Sequence, residues 1–379
     1  MYDYSFKKLF LLLTSFLLSG LYAQKDESLL LAMDEHKGPV YAAAFSNDDK
    51  LIASGAEDKI IYLWSAETGE IVKTLTGHTG KVQFLEFSPD GKSLLSAGGT
   101  QLLLWDLESG AYRSFAGHKT HTWNARFSLD GSRFASTDLL NKFRLWDTET
   151  GEMIHSFEGH AKTVLSIAFS PDRKYIASGS LDQTIKIWDT ETKEIIRSID
   201  AHAGNIYSLD FSPDSKLLAS VSLDETIKIW DVATGKIIKL LSGHQYAVMY
   251  VRFSPDGKFL ISASWDKTVK LWEILTGNCI YTFIDHTDVV NVADFSHDGK
   301  HIITGSNDGK AMLWEISPRF FAEFYYWDEL KAEMDQSGLF EEKQKPESRQ
   351  YYEIRKDKAA QYKKDLYLKY YNKYLEKNN

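Results

Sequence analysis

The chain of 379 residues contains one cysteine, Cys279, so no disulfide can form within it in any redox compartment, and its stability has to come from packing. Positive charge is also short. Lys and Arg number 44 against 53 Asp and Glu, a net charge of −9, which gives no general attraction to phosphate backbones and argues against nucleic acid as a partner. Paired Cys or His at metal-ligand spacing, phosphate-cradling glycine loops, nucleophile elbows and metalloprotease helices are all missing. The expectation is therefore no catalytic residue, no metal and no cofactor. The low-hydrophobicity, high-charge signature of a disordered chain is missing too, since hydrophobic residues make up 43% and charged ones 26%.

Long apolar runs are confined to the N-terminus. Lys7 and Lys8 precede an uncharged stretch from Leu9 to Leu18, followed by Ser19-Gly20-Leu21-Tyr22-Ala23. From Leu9 to Ala23 the run falls short of the roughly 20 residues needed to span a hydrocarbon core. Residues 1–23 therefore read as a signal peptide cut after Ala23, leaving Gln24 first and no transmembrane span. The expected location is outside the cytoplasm, periplasmic or extracellular, compatible with outer-membrane association.

What the chain does have is a repeat. His36, His78, His118, His160, His202, His244 and His286 recur at steps of 42, 40, 42, 42, 42 and 42, and Trp64, Trp105, Trp146, Trp188, Trp230, Trp272 and Trp314 keep pace. The unit from His160 divides into four apolar runs of strand length, 164–169, 175–179, 184–188 and 195–199. Ser-Pro-Asp turns recur at Ser88-Pro89-Asp90, Ser212-Pro213-Asp214 and Ser254-Pro255-Asp256, where proline presets φ for a tight turn. A lone four-stranded sheet cannot bury both faces, so seven such units should pack face to face around a ring. The fold class expected is all-β: a seven-bladed β-propeller of four-stranded antiparallel blades, with a short α-helical C-terminal extension. Seven units counted from His36 end on a third strand at 311–316. The segment Ser28 to His36 aligns without a gap with Glu194 to His202. Residues 28–33 are thus expected to supply the missing outer strand of the last blade and remove an open edge.

These units resemble the WD-repeat (WD40) family, whose repeats carry Gly-His near the start and Trp-Asp near the end. Gly77-His78, Gly117-His118, Gly159-His160 and Gly243-His244 match the first element; Trp105-Asp106, Trp146-Asp147, Trp188-Asp189 and Trp230-Asp231 match the second. Trp64-Ser65, Trp272-Glu273 and Trp314-Glu315 depart from it. The resemblance, over residues 28–316, is to an exported, bacterial-type member with a helical extension. It implies a buried hydrogen-bond chain in each unit: His160, Ser178, Asp182 and Trp188; His202, Ser220, Asp224 and Trp230; His244, Ser262, Asp266 and Trp272; His286, Thr304, Asp308 and Trp314; His36, Ser54, Asp58 and Trp64. Losing one member would cost roughly 1 to 3 kcal/mol. In units two and three, Gly99 and Leu140 stand where the aspartate is expected, so these blades should be less rigid. His121 and Trp123 set the surface of unit three apart.

The residue before the turn aspartate is apolar in units four to six: Leu181, Leu223 and Trp265. With Leu165, Tyr207, Tyr246 and Met249 these are the candidate partner-binding residues, an apolar arc on one rim. From Ser317 the repeat stops, and nine of the 20 tyrosines lie beyond it. Residues 319–335 and 347–377 read as helices, with Tyr367, Tyr371 and Tyr374 in one stripe. The domains are 1–23 signal peptide, 24–316 propeller and 317–379 helical extension. The function expected is a non-catalytic protein-interaction scaffold of the cell envelope or exterior, binding protein or peptide through rim and tail, a monomer within a larger complex. The alternative is an enzyme, a hydrolase or lyase with a site at the central channel; a third is a purely structural part of an envelope assembly.

Overall fold

A computed structural model describes residues 27–341 and 349–378, so the signal-peptide expectation for residues 1–23 lies outside the described residues. Among the described residues, twenty-eight strands, β1 to β28, form seven four-stranded sheets, and two helices follow. Blade four shows the unit: β14 (Val164–Phe169), β15 (Tyr175–Ser180), β16 (Thr184–Asp189) and β17 (Ile195–Asp200), each antiparallel to the next. The seventh sheet runs β1 (Leu29–Met33), β28 (Ala311–Glu315), β27 (His301–Ser306) and β26 (Val290–Phe295). The chain's first strand therefore completes its last blade, pairing Leu31 with Leu313 and Met33 with Ala311.

Successive blades bury their apolar faces against each other. Between blades one and two, Ile61, Leu75, Val82, Leu94, Leu103 and Trp105 share one cluster. The approach is close enough to demand glycine at particular points. A Cβ on Gly179 would lie 2.6 Å from Ile206 of the next blade, and one on Gly305 would lie 2.8 Å from Val40 across the ring seam.

The first strand of every blade is innermost, and each carries a bulge or register shift near its start: Val40/Ala42, Val82/Phe84, Thr122/Ala125, Val164/Ser166, Ile206/Ser208, Val248/Tyr250 and Val290/Val292. A bulge re-aims the side chain it carries. It sets apart Tyr41, Gln83, Trp123, Leu165, Tyr207, Met249 and Asn291, one per blade, beside the hairpin turns that hold the tetrad aspartates. We call that side the upper face and the side of the Ser-Pro-Asp turns the lower face.

Helix α1 (Pro318–Gln336) starts with Ser317 as N-cap, accepting from the Arg319 N–H, and Pro318 in the first turn. Its ring face covers β25 (Cys279–Phe283), the outer strand of blade six: Phe320 stacks on Tyr281 with centroids 3.6 Å apart, and Phe321 meets Phe259 at 5.4 Å. Helix α2 (Arg349–Asn378) packs on α1 through Tyr370 against Tyr326 and Tyr374 against Phe321. Tyr367 and Tyr374 are buried and Tyr371 is half-buried, so the tyrosine stripe faces the protein. No described helix is long and apolar enough to cross a membrane.

Candidate functional site

Repeated histidines, serines and tryptophans first build a framework. In blade four the His160 Nδ1 lies 2.9 Å from the Asp182 carboxylate, Nε2 lies 2.8 Å from the Ser178 hydroxyl, and the Trp188 indole donates to the same hydroxyl at 2.8 Å. With the carboxylate accepting at Nδ1, the ring carries its proton there, so Ser178 donates to Nε2 while accepting from Trp188. The same contacts join His202, Ser220, Asp224 and Trp230, then His244, Ser262, Asp266 and Trp272. They also join His286, Thr304, Asp308 and Trp314, and His36, Ser54, Asp58 and Trp64. Each aspartate further accepts the N–H after the histidine, as Asp182 does from Ala161 at 2.8 Å.

Units two and three depart from this in different ways. In blade three the aspartate stands two residues earlier than Leu140: Asp138 reaches His118 Nδ1 at 2.7 Å and Arg144 at 2.7 Å, and Ser136 and Trp146 complete the set. The loosening expected of blade three from Leu140 is thus offset by a buried Asp-Arg pair, whose signal was an aspartate eight rather than six residues before Trp146. Blade two is the real gap. Gly99 brings no carboxylate, His78 keeps only its bond to Ser96, and its buried Nδ1 has no partner. Gln101 takes over the other duty of the lost aspartate, accepting the Thr79 N–H at 2.7 Å. A side chain at Gly99 would be strained, with φ at +59° and its Cβ pressed to 3.1 Å from the Gly80 nitrogen.

These histidines make the propeller acid-sensitive. Burial pushes His78 from 6.5 down to about 4. Burial also lowers His36, His118, His160, His202 and His244, with their aspartates pulling the other way. A histidine lowered in the fold stays neutral while the unfolded chain takes up the proton. Its stabilisation is complete above 6.5 and is lost as pH falls from there toward 4. For His78 the loss is roughly 3 kcal/mol. Urea midpoints measured between pH 7.5 and 4 should fall steadily, and the fall should be shallower in His78→Phe. A flat profile in that window counts against the assignment.

The upper face is divided. In the hairpin turns, Leu139, Leu181, Leu223 and Trp265 hold one equivalent place, each N–H bonded to the carbonyl just before the blade's first strand: His121, Thr163, Asn205 and Ala247. Leu139, Leu223 and Trp265 are 43, 42 and 41% exposed, Tyr246 is 60% exposed, and Leu181 is half-buried. The corresponding places in blades one and seven hold Glu57 and Asn307. Beside the turns, the bulged row reads Trp123, Leu165, Tyr207 and Met249 in blades three to six, against Asn291, Tyr41 and Gln83 in the other three. Tyr207 and Trp265 are brought together, with ring centroids 6.3 Å apart, and Met249 is half-buried. Leu165 is only 4% exposed and adds little surface to the arc. Leu139 escaped sequence reasoning, although it stands 42 residues before Leu181.

At the channel, the fifth residue of each first strand forms a ring whose charged members are Glu86, Arg126, Asp210, Arg252 and Asp294. Arg126 reaches Glu86 at 3.2 Å and crosses the channel to donate to the Tyr250 hydroxyl at 2.9 Å. Arg252 lies 3.1 Å from Asp210, 3.2 Å from Asp294 and 4.0 Å from Glu86. Burial raises the Asp210 carboxyl, against the pull of Arg252 and Arg126. Each carboxylate also accepts the N–H of a phenylalanine: Phe127, Phe253 and Phe295. Among the described residues no group of three or more His, Cys, Asp or Glu is placed to hold a metal ion.

Blade six departs from Trp-Asp with a purpose. In blades three to five Asp147, Asp189 and Asp231 cap their own following turns. Glu273, 2% exposed, also accepts the hydroxyl of Thr276 in its own turn, but its longer side chain reaches on to accept from the Tyr325 hydroxyl at 2.6 Å and from the Tyr374 hydroxyl, locking both helices to the blade.

A closed ring of seven four-stranded blades, stitched by His-Ser-Asp-Trp sets, is a WD40-repeat propeller. Comparison with known proteins agrees: residues 27–65 and 69–106 match the WD domain, G-beta repeat, and residues 133–316 match the WDR3 first beta-propeller domain. The chain is similar to the nuclear distribution protein PAC1 of Fusarium vanettenii, 38% identical over 133 residues, covering 31% of this chain and 30% of that protein. It is also similar to a WD repeat-containing protein WDS homolog of Arabidopsis thaliana, 30% identical over 131 residues, 31% of this chain and 24% of that protein. A third is the WD repeat and SOCS box-containing protein 1 of Takifugu rubripes, 30% identical over 114 residues, 29% of this chain and 27% of that protein. The chain thus spans less than a third of the length of these relatives. None is named as an enzyme, and all three are eukaryotic, so they lend no support to a bacterial-type, exported kinship.

Proposed function

We propose that the chain is a non-catalytic protein-interaction scaffold that holds a protein or peptide on the apolar half of its upper face. One observation carries the reading: four successive blades present an apolar side chain at the same turn, three of them more than two-fifths exposed, where blades one and seven present Glu57 and Asn307. Contiguous apolar and aromatic surface of this kind is what binding surfaces are made of. The Asp-Arg pair of blade three and the helical latch on blade six stiffen the two ends of the arc, which lowers the entropy lost on binding. The reading of residues 1–23 adds that the scaffold works outside the cytoplasm, periplasmic or extracellular, as a monomer within a larger complex. The rival reading, a hydrolase or lyase at the channel, draws on Glu86, Asp210 and Asp294, yet each of these carboxylates already accepts a backbone N–H and faces a guanidinium.

The test is a quantitative crosslinking pulldown from native envelope fractions, comparing the unaltered chain with a Leu223→Ala, Trp265→Ala variant. The expected result is selective loss of one partner by at least tenfold, with the recovered chain beginning at Gln24. Equal recovery of every partner by both forms overturns the upper-face reading, and a chain still carrying residues 1–23 overturns the export reading.

A further inference from the structure

The channel ring contains an irregularity that the upper face does not use. Taken around the propeller, its seven places read Ala44, Glu86, Arg126, Ala168, Asp210, Arg252 and Asp294, each in the same register of a first strand. Ala168 falls between Arg126 and Asp210, which are unlike charges. Ala44 falls between Asp294 and Glu86, which are like charges. Three carboxylates face two guanidiniums, so the ring is one cation short, and alternation fails at Ala44 alone.

A cavity of about 420 Å³ opens at that place toward the lower face, lined by Ala44, Glu86, Arg252 and Asp294 at its charged end and by Phe45, Leu85 and Phe87 along its wall. Its mouth is formed by the lower turns of four blades: Pro89 in blade two, with Asn47, Leu129 and His297 standing in its place in blades one, three and seven. Leu129 is 61% exposed, and His297 bonds Asp49 at 3.2 Å through its ring. Arg252 does not neutralise the gap. Only its Nη1 makes a hydrogen bond in the ring, to Asp210 at 3.1 Å; its buried Nε lies 3.2 Å from Asp294 without bonding it, and Nη2 comes no nearer to Glu86 than 4.0 Å. An alkyl stem has an apolar wall to lie on, and a cationic head has a carboxylate on either side.

We infer that this lower cavity is a binding site for an alkylguanidinium or alkylammonium group, seated beside Ala44 between Asp294 and Glu86. Either a small free amine or an arginine or lysine side chain carries such a group; the recognising chemistry is the same. The site lies on the face opposite the apolar arc and does not depend on the upper-face reading.

Calorimetric titration of the mature chain with n-butylguanidinium, n-butylammonium and neutral n-butanol tests it, with an end-capped Gly-Arg-Gly peptide as a second arm. Both cations should saturate one site and the alcohol should not. Glu86→Gln and Asp294→Asn should each weaken binding at least tenfold. Ala44→Arg, which places the protein's own guanidinium in the gap, should abolish it. If that variant does not fold, judged by its melting curve, Glu86→Gln decides, because it keeps the shape and removes the charge. Peptide binding at least as tight as butylguanidinium assigns the site to a side chain, and binding of the free cations alone assigns it to a small amine. Cations that bind no better than butanol, or equally well to Ala44→Arg and Glu86→Gln, overturn the inference.

Discussion

Asp138→Ala should cost the propeller more than the loss of any other tetrad aspartate, about 3 to 5 kcal/mol. The Asp138 side chain is fully buried, and its Oδ2 takes both the equally buried His118 ring and the Arg144 guanidinium, 7% exposed, whose Nη1 lies 2.6 Å from the ring nitrogen. Removing the carboxylate strands a charge in the interior as well as a ring N–H, and desolvation of an unpaired charge outweighs that of a neutral donor. Asp182→Ala is the matched control: its carboxylate is 9% exposed and its partners are a neutral histidine, two backbone N–H groups and the Thr184 hydroxyl, with no guanidinium, so about 1 to 3 kcal/mol is expected. Urea unfolding followed by tryptophan fluorescence compares the two directly. Equal losses would mean that Arg144 finds water or another partner in the variant. Adding Arg144→Met to the Asp138 variant should restore part of the loss, because it removes the orphaned charge.

Phe320→Ala should detach the helical pair from blade six. Phe320 is 1% exposed and lies flat on Tyr281, with Phe283 edge-on at 5.8 Å, and truncating a buried phenylalanine costs about 3 to 5 kcal/mol. The loss falls on few further anchors, chiefly Phe321, Leu330 and the tyrosine hydroxyls on Glu273. Hydrogen exchange across residues 349–378 should accelerate strongly while the tetrad-bearing strands keep their protection. Unchanged protection of α2 would show that the helices hold to each other and to Glu273 without the ring stack.

These two sites also mark where sequence reasoning ran out. The architecture was legible because His and Trp are rare, large and tied to one place in each repeat, so a 42-residue step survives every other substitution. Asp138 was not legible because the histidine needs a carboxylate within reach and not at a fixed index; a hairpin can deliver it from eight residues before the tryptophan as well as from six. Glu273 looked like ordinary latitude at the end of a repeat, since its partner Tyr374 lies 101 residues away and neither residue's local pattern mentions the other. The arc was half visible. Leu181, Leu223 and Trp265 could be found from the aspartate beside them, whereas Leu139 hid behind the displaced Asp138, and the burial of Leu165 depends on its neighbours across blades. Most of the channel ring could have been read by stepping 42 residues from Arg126 through Ala168, Asp210 and Arg252 to Asp294, but only the closed circle shows that its charges face one another.

The seam of the circle has a mechanical consequence. β1 and β28 run antiparallel, so the chain enters at Leu29, opposite Trp314, and leaves for α1 at the same edge of the blade. Arg319 holds that corner, bonding Glu27 at 2.8 Å and the Tyr281 hydroxyl at 3.1 Å. Traction on the two strand ends there would not shear the seam. It would peel the pairs apart one after another, starting at Leu29 and Trp314, with Arg319 as the first fastening to yield. A load applied to one strand end and to any other blade would instead have to pull the whole row of pairs at once. The ring is therefore a clasp that resists being stretched open and gives way readily to a pull from its own two ends.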